Sequence, residues 1–240
     1  MTSPKAPLKV FCAGAARSAL GNLHQEFERQ SGHAVEFTLG PVGALVERLQ
    51  QGEEADVLVL ALGALKKLAQ TGAVVPGSIE VVGSVRFAIA QARGAAPIQV
   101  GSTADLRNAL LQAKSFAYGD PRNGDTSGLH MADVLDRLGI TEEIVPKTVL
   151  EPMGLKVAEA VAAGRAEIGA LQTSIILARD DLQLAGALPD EHQLISTYAM
   201  AAVADAPPAA LQLLAHLSTP AARAQFVKAG FEAEASSPAR

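Results

Sequence analysis

The chain is poor in the residues that most often announce a chemistry. Its 240 residues include one cysteine, Cys12, and no tryptophan, and aromatics make up 4%. A single cysteine allows no internal disulfide, and no Cys/His spacing fits zinc. The five histidines (His24, His33, His130, His192, His216) lie scattered without metal-ligand spacing, so no metal is expected. Scarce aromatics leave no stacking platform for bases or sugars. The formal net charge is −5 with no basic run, which makes nucleic acid and anionic membrane surfaces poor partners. No apolar run reaches the ~20 residues of a membrane span. After Met1 the chain runs through Thr-Ser-Pro-Lys-Ala-Pro into its first strand, without an apolar leader segment. That pattern predicts a cytoplasmic protein, or a periplasmic one from which a signal peptide has been removed.

Apolar material is ample. Hydrophobic residues make up 49% and charged ones 19%, enough for one large domain or two small ones. The first half alternates strand and helix patterns. Leu8 to Cys12 reads as a buried strand, Arg17 to Gln30 as a helix, and His33 to Leu39 as a second strand. Gly40 to Gly43 is a turn, Ala44 to Gln51 a short helix, and Asp56 to Ala61 an apolar run typical of a covered parallel strand. Leu65 to Thr71 closes the set as a helix. Ile79 to Gln91 and Gln193 to Ala204 read as two long strands. Between them lies a second unit with a helix at Thr103 to Gln112 and strands at Phe116 to Tyr118 and Ala166 to Leu171. Leu184 to Pro189 reads as a connection, and Pro207 to Gly230 as one or two final helices. The predicted fold is α/β, two Rossmann-like lobes with a central cleft. The predicted lobes are 1–82 with 196–240, and 83–195.

The most informative stretch runs from Ala113 to His130. A short strand enters a Gly, Asp, Asn, Thr and Ser loop that opens a helix, a ready site for an anion. Thr126 and Ser127 would add hydroxyl donors, or serve only as a cap and turn. Asp120 before Pro121 is a turn residue or a direct ligand. His130, near that helix N-terminus, is a surface histidine or a neutral base for proton transfer. Cys12 is a small core residue, or a thiolate base beside Arg17. Gln172, Thr173 and Ser174 follow a strand and open a helix, as a cap or as ligands facing the cleft.

The order of these motifs resembles the type II periplasmic binding proteins, and more narrowly the molybdate-binding-protein family. The residues that carry the resemblance are Lys9 to Leu20, Gly40 to Leu45, Ala55 to Leu60, Gly119-Asp-Pro121 and Val161 to Gly169. In that family, hydroxyl side chains of the first two loops hold a tetrahedral oxyanion. Here the expected serines meet Ala15 in the first loop and Pro41, Val42 and Gly43 in the second. A site without those hydroxyls should discriminate poorly for molybdate. Arg17, read as lying near the first helix N-terminus, suits a carboxylate through its planar fork.

Ala113 to Tyr118 and Gly186 to Pro189 are similar to a branch that includes aconitate isomerase, an enzyme on a binding-protein scaffold. The resemblance implies a small anionic ligand held in the interlobe cleft as the lobes close, with an ABC permease as partner only in an exported protein. Its ligand set would be Gly14, Ala15, Arg17, Pro41, Val42, Gly43, Asp120, Thr126, Ser127, Gln172 and Ser174. The alternative is a cofactor-independent isomerase moving a proton along an unsaturated carboxylic acid, with His130 or Cys12 as base.

Overall fold

The structure, a computed structural model, describes residues 5–232, so the outermost ends of the expected first lobe lie outside the described residues. The fold is α/β, as expected. The elements in order are β1 (Leu8–Ala13), α1 (Gly14–Leu20), α2 (Leu23–Ser31), β2 (Val35–Gly40), α3 (Val42–Gln50), β3 (Val57–Ala61), α4 (Leu62–Gln70) and β4 (Glu80–Ala92). There follow α5 (Thr103–Gln112), β5 (Phe116–Gly119), α6 (Thr126–Arg137), α7 (Thr141–Ile144), β6 (Thr148–Glu151), α8 (Gly154–Ala162), β7 (Ile168–Gln172) and α9 (Thr173–Leu177). The chain ends with β8 (Leu182–Ala187), β9 (Ile195–Ala202), α10 (Pro208–Leu217) and α11 (Pro220–Lys228). It divides into two compact units, Met1–Ser84 with Thr197–Arg240, and Val85–Ser196.

In the first unit β1 pairs in parallel with β2 and β3, and β9 adds antiparallel to β3. The continuous apolar run of β3 is explained by burial: Val57 to Leu60 are each at most 1% exposed. Phe11, Leu20, Leu58, Leu65 and Phe226 are among its fully buried side chains. In the second unit the strand order is β4-β7-β5-β6, with β8 also paired to β4. Strands β5, β6 and β7 run parallel. Phe87, Ile89, Leu106, Phe116, Met131 and Leu135 form its core. Each such side chain contributes about 1.5–3 kcal/mol when fully buried.

Two features depart from the sequence reading. The first helix is broken: α1 stops at Leu20 and α2 starts at Leu23, although Leu20, Leu23 and Phe27 keep helical spacing. Gly21 takes φ +48°, and a Cβ there would come within 2.9 Å of the Gln225 amide nitrogen. The break falls at Gly21 itself, a positive-φ position that glycine adopts readily, and the apolar spacing on either side masks it in the sequence. The segment read as a connection after Leu184 is in fact part of β8, antiparallel to β4 with an irregularity between Ile89 and Ala90. Its Ala-Gly-Ala composition disguised it. A Cβ at Gly186 would meet the Val100 side chain at 2.7 Å, so packing rather than β-propensity selects the residue.

Candidate functional site

The parallel strands of the first unit end nearly level, with Ala13 paired to Gly40. Each hands over to a helix at once: α1 begins at Gly14, α3 at Val42 and α4 at Leu62. The residues before them, Ala13, Pro41 and Ala61, supply no side-chain cap. First-turn N–H groups and the positive ends of helix dipoles therefore gather at one edge of this sheet. Gly14, Ala15, Pro41, Val42 and Gly43 all lie there. None carries a side-chain hydrogen-bonding group, so anything they hold is held by the main chain. Gly40, the last residue of β2, would place a Cβ at 3.2 Å from Leu45, tight against the start of α3.

Arg17 is not at a helix N-terminus. Because α1 ends at Leu20, Arg17 occupies its last turn, where a cation is favourable. Its guanidinium lies 4.4 Å from the centre of the Phe37 ring and donates to the Gly21 carbonyl at 3.5 Å. The argument that an unfavourable dipole calls for a carboxylate partner therefore falls away. Cys12 is fully buried at the end of β1, and burial pushes its thiol up to about 12 against the opposing pull of Arg17. At neutral pH it stays a thiol and offers no thiolate base.

In the second unit β5, β6 and β7 end at Gly119, Glu151 and Gln172. The Asp120 N–H donates to the Glu151 carbonyl at 2.7 Å, tying two strand ends together. The Asp120 carboxylate accepts from the Arg122 N–H at 3.0 Å and is forked by the Arg122 side chain, with Nη2 at 2.7 Å from Oδ2. That guanidinium and the backbone donor hold the carboxyl below its ordinary range. Its groups are thus engaged within a turn at Pro121–Asn123. Glu151 is likewise paired, with Arg165.

The start of α6 differs from its expected form. Its N-cap is Asp125, which the sequence reading did not single out. Asp125 Oδ1 accepts from the Ser127 N–H at 2.8 Å, from the Ser127 hydroxyl, and from the Gly128 N–H at 3.1 Å. The donors assigned to Ser127 are therefore turned onto an internal carboxylate, while Thr126 is exposed. The signal was present: an Asp directly before the first helical residues is a standard N-cap pattern. Two glycines let this loop close. A Cβ on Gly128 would lie 2.1 Å from the Gly119 carbonyl oxygen, and one on Gly119 would lie 2.5 Å from Asp125 Oδ2.

The remaining candidates lie on β7, α9 and α6. Gln172 caps the start of α9 and is 8% exposed, yet its carboxamide has no hydrogen-bond partner among the described residues. Its Oε1 faces Gly154, at 3.0 Å from where a Cβ would stand. Gly154 opens α8, whose N-cap Met153 gives no side-chain cap. Ser174 is fully buried inside α9. His130 is half-buried on α6, and its Nε2–H donates to the His192 carbonyl at 2.8 Å. Its ring stands edge-on to Phe87 at 6.0 Å. No hydrogen bond joins His130 to Asp120, Asp125, Thr126 or Ser127. Among the described residues no group of three or more His, Cys, Asp or Glu is arranged to hold a metal.

His192 itself is 7% exposed, and both its ring nitrogens are buried without a partner. Burial, then Arg137 and His130, push its pKa down, while Glu191 and Asp133 pull it up. A histidine with a lowered folded-state pKa takes up its proton less readily when folded than when unfolded. Stability is then lost as pH falls below the unfolded value of about 6.5. Urea unfolding of the native chain should show a lower midpoint at pH 5.0 than at pH 7.5. His192→Leu should shrink that difference, and an unchanged difference would clear His192 of any part in it.

The comparisons with known proteins agree with this architecture. Residues 8–232 match the family model described as bacterial extracellular solute-binding protein. Aconitate isomerase of Pseudomonas sp. is 27% identical over 227 residues, covering 90% of this chain and 84% of that one. The molybdate-binding protein ModA of Azotobacter vinelandii is 28% identical over 170 residues, 68% of this chain and 64% of that one. The solved periplasmic molybdate-binding protein of Azotobacter vinelandii superposes with a TM-score of 0.76 at 20% identity, over 94% of this chain and 98% of that one. The chain belongs to the bacterial extracellular solute-binding protein family, with a type II, molybdate-binding-like fold.

Proposed function

We propose that this solute-binding protein takes a small carboxylate in preference to molybdate, using the strand-end loops of its first unit. The observation that carries the reading is the set of helices α1, α3 and α4, all starting without side-chain caps at one edge of the first unit's sheet. Main-chain N–H groups there suit an anion. A tetrahedral oxyanion offers four oxygens and calls for more donors than a planar carboxylate does. The hydroxyls that would supply them are absent from Gly14, Ala15, Pro41, Val42 and Gly43. The second unit, taken by itself, offers donors of the same kind at the Gln172 carboxamide and at the start of α8, with Met153 and Gly154 at its head. The family description, which is of extracellular proteins, favours an exported protein over the cytoplasmic one that the sequence suggests, and an exported protein would have an ABC permease as its partner. No helix among the described residues is long and apolar enough to cross a membrane.

A thermal-shift panel tests this directly, setting molybdate, tungstate, sulfate and phosphate against citrate, the aconitates, malate and succinate. A ligand at a hundred times its dissociation constant adds ~2.7 kcal/mol, or roughly 5–10 °C for a chain this size. A carboxylate is expected to give that shift. A shift with oxyanions alone would return the chain to molybdate-type binding.

Arg17 is left out of the proposed donor set, because the last turn of α1 and the Phe37 ring account for it. Arg17→Ala should leave carboxylate affinity within about threefold and lower stability by about 0.5–1 kcal/mol, the range of an exposed cation–π contact. A tenfold loss of affinity, read by calorimetry, would place Arg17 in the site.

A second reading is favoured by the similarity to aconitate isomerase across 90% of the chain. It is proton transfer on an unsaturated carboxylic acid. With Cys12 held as a thiol, the base would be His130, acting through Nδ1 because Nε2–H is committed to the His192 carbonyl. Following cis- and trans-aconitate by NMR should then show interconversion by the native chain and none by His130→Ala. Turnover that survives the substitution would remove His130 as the base.

A further inference from the structure

We infer that the turn Asp190–His192 is an acid-opened latch on the second unit, released when His192 takes up a proton while the rest of the unit stays folded. The turn is a single stretch of 3-10 helix, and His192 is its one buried residue. Two backbone bonds close it, from the His192 N–H to the Pro189 carbonyl at 2.8 Å and from the Gln193 N–H to the Asp190 carbonyl at 3.3 Å. So short a piece has little stability of its own. Its neighbours hold it. His130 of α6 donates to the His192 carbonyl, Arg137 of α6 donates to the Glu191 carbonyl at 3.0 Å, and the Thr103 hydroxyl of α5 donates to the Glu191 carboxylate. The Gln193 carboxamide accepts from the Phe87 N–H at 2.8 Å and donates to the Leu188 carbonyl at 2.9 Å. All these partners belong to the second unit.

The buried ring is the weak point. Both nitrogens of His192 are shut away from solvent with no hydrogen-bond partner. A neutral ring leaves one donor and one acceptor unmet; a cationic ring leaves two donors and a charge unmet, which costs far more. The charged groups around it offer no relief. From α6 it faces Arg137 and His130, which disfavour a charge on it, and Asp133, whose carboxylate is paired with Arg137 at 2.9 Å. From its own turn it faces Glu191, already engaged by Thr103, while Asp190 is turned toward Arg86 of β4 at 3.6 Å. A protonated His192 is therefore met only in water, and the ring reaches water by opening the turn. Opening gives up the bonds of His130 and Arg137 to this turn, so α6 loses them and His130 Nε2 is freed. The acid cost of burying His192 thus falls first on a surface turn and not on the strands of the core.

The test is amide hydrogen exchange on the full chain at pH 7.5 and pH 5.0, with each rate corrected for the intrinsic pH dependence of exchange. Opening of the turn, read at the His192 and Gln193 amides, should rise between about fivefold and about thirtyfold on acidification. The upper figure is the limit for an open-state histidine of ordinary pKa, about 6.5. At pH 5.0 those amides should still be at least about tenfold less protected than the amides of Ala117 and Tyr118 in β5. His192→Leu cannot be protonated, and its opening should differ by less than about twofold between the two pH values. His192→Gln, polar and uncharged, serves in the same way if leucine disturbs the packing. In the native chain, the His192 imidazole signal in proton–carbon NMR should titrate below the ordinary histidine value. An ordinary midpoint there overturns the inference, and so does unchanged opening between pH 7.5 and pH 5.0. A pH response that survives both substitutions removes His192 as the trigger. Turn and β5 amides that reach the same level of protection at pH 5.0 would make the opening global, and the latch would be refuted.

Discussion

Parallel pairing in near-level register is the constraint from which the candidate site follows. When β1 and β2 run side by side with Ala13 opposite Gly40, whatever follows them starts at the same edge. Short handovers then leave no room for a capping loop, and Ala13, Pro41 and Ala61 supply no capping atom. The result is a row of helix starts, none of them capped by the side chain of its own N-cap residue. This local field is set by the helix starts themselves and not by the chain's net charge of −5.

The second unit obeys the same geometry with the opposite outcome at one of its helices. There the β5 to α6 handover is long enough to include Asp125, and α6 is answered from within. The arrangement depends on Gly119 and Gly128, whose missing side chains let the strand end and helix start approach to a distance no Cβ permits. One loop thus carries two coupled requirements, a close backbone approach and an internal carboxylate. The starts of α8 and α9 in the same unit have no such side-chain cap.

Much of the α/β alternation was legible because periodicity and glycine punctuation are local. The apolar run at Asp56 to Ala61 gave β3, and Gly32 marked the end of α2 by its left-handed backbone. The break in the first helix was hidden because the apolar spacing of Leu20, Leu23 and Phe27 runs straight through Gly21, the local signal that marks it. That single miss moved Arg17 from the last turn of a short helix to the first turn of a long one, and reversed the sign of its dipole argument. The loop from Gly119 to Gly128 was recognised as an anion-friendly shape. That Asp125 would take its first N–H groups was written in the sequence as an N-cap pattern, whereas the close Gly119–Gly128 approach exists only once the strand and helix pack.

The residues with nominal chemistry also bear on whether the chain transforms what it binds. A proton-transfer site needs a base with a free lone pair, set close to the groups that hold the substrate. Cys12 fails the first condition, because full burial keeps its proton in place. His130 retains one lone pair, but its other nitrogen fastens the turn around His192 to α6 and its ring rests on Phe87. That makes it a group with a structural task already, and no hydrogen bond joins it to Asp120, Asp125, Thr126 or Ser127. Gln172, by contrast, is nearly buried at the end of β7, and its carboxamide has no hydrogen-bond partner among the described residues. An amide both donates and accepts a hydrogen bond but takes up no proton at neutral pH, so it suits holding a polar group and not moving a proton.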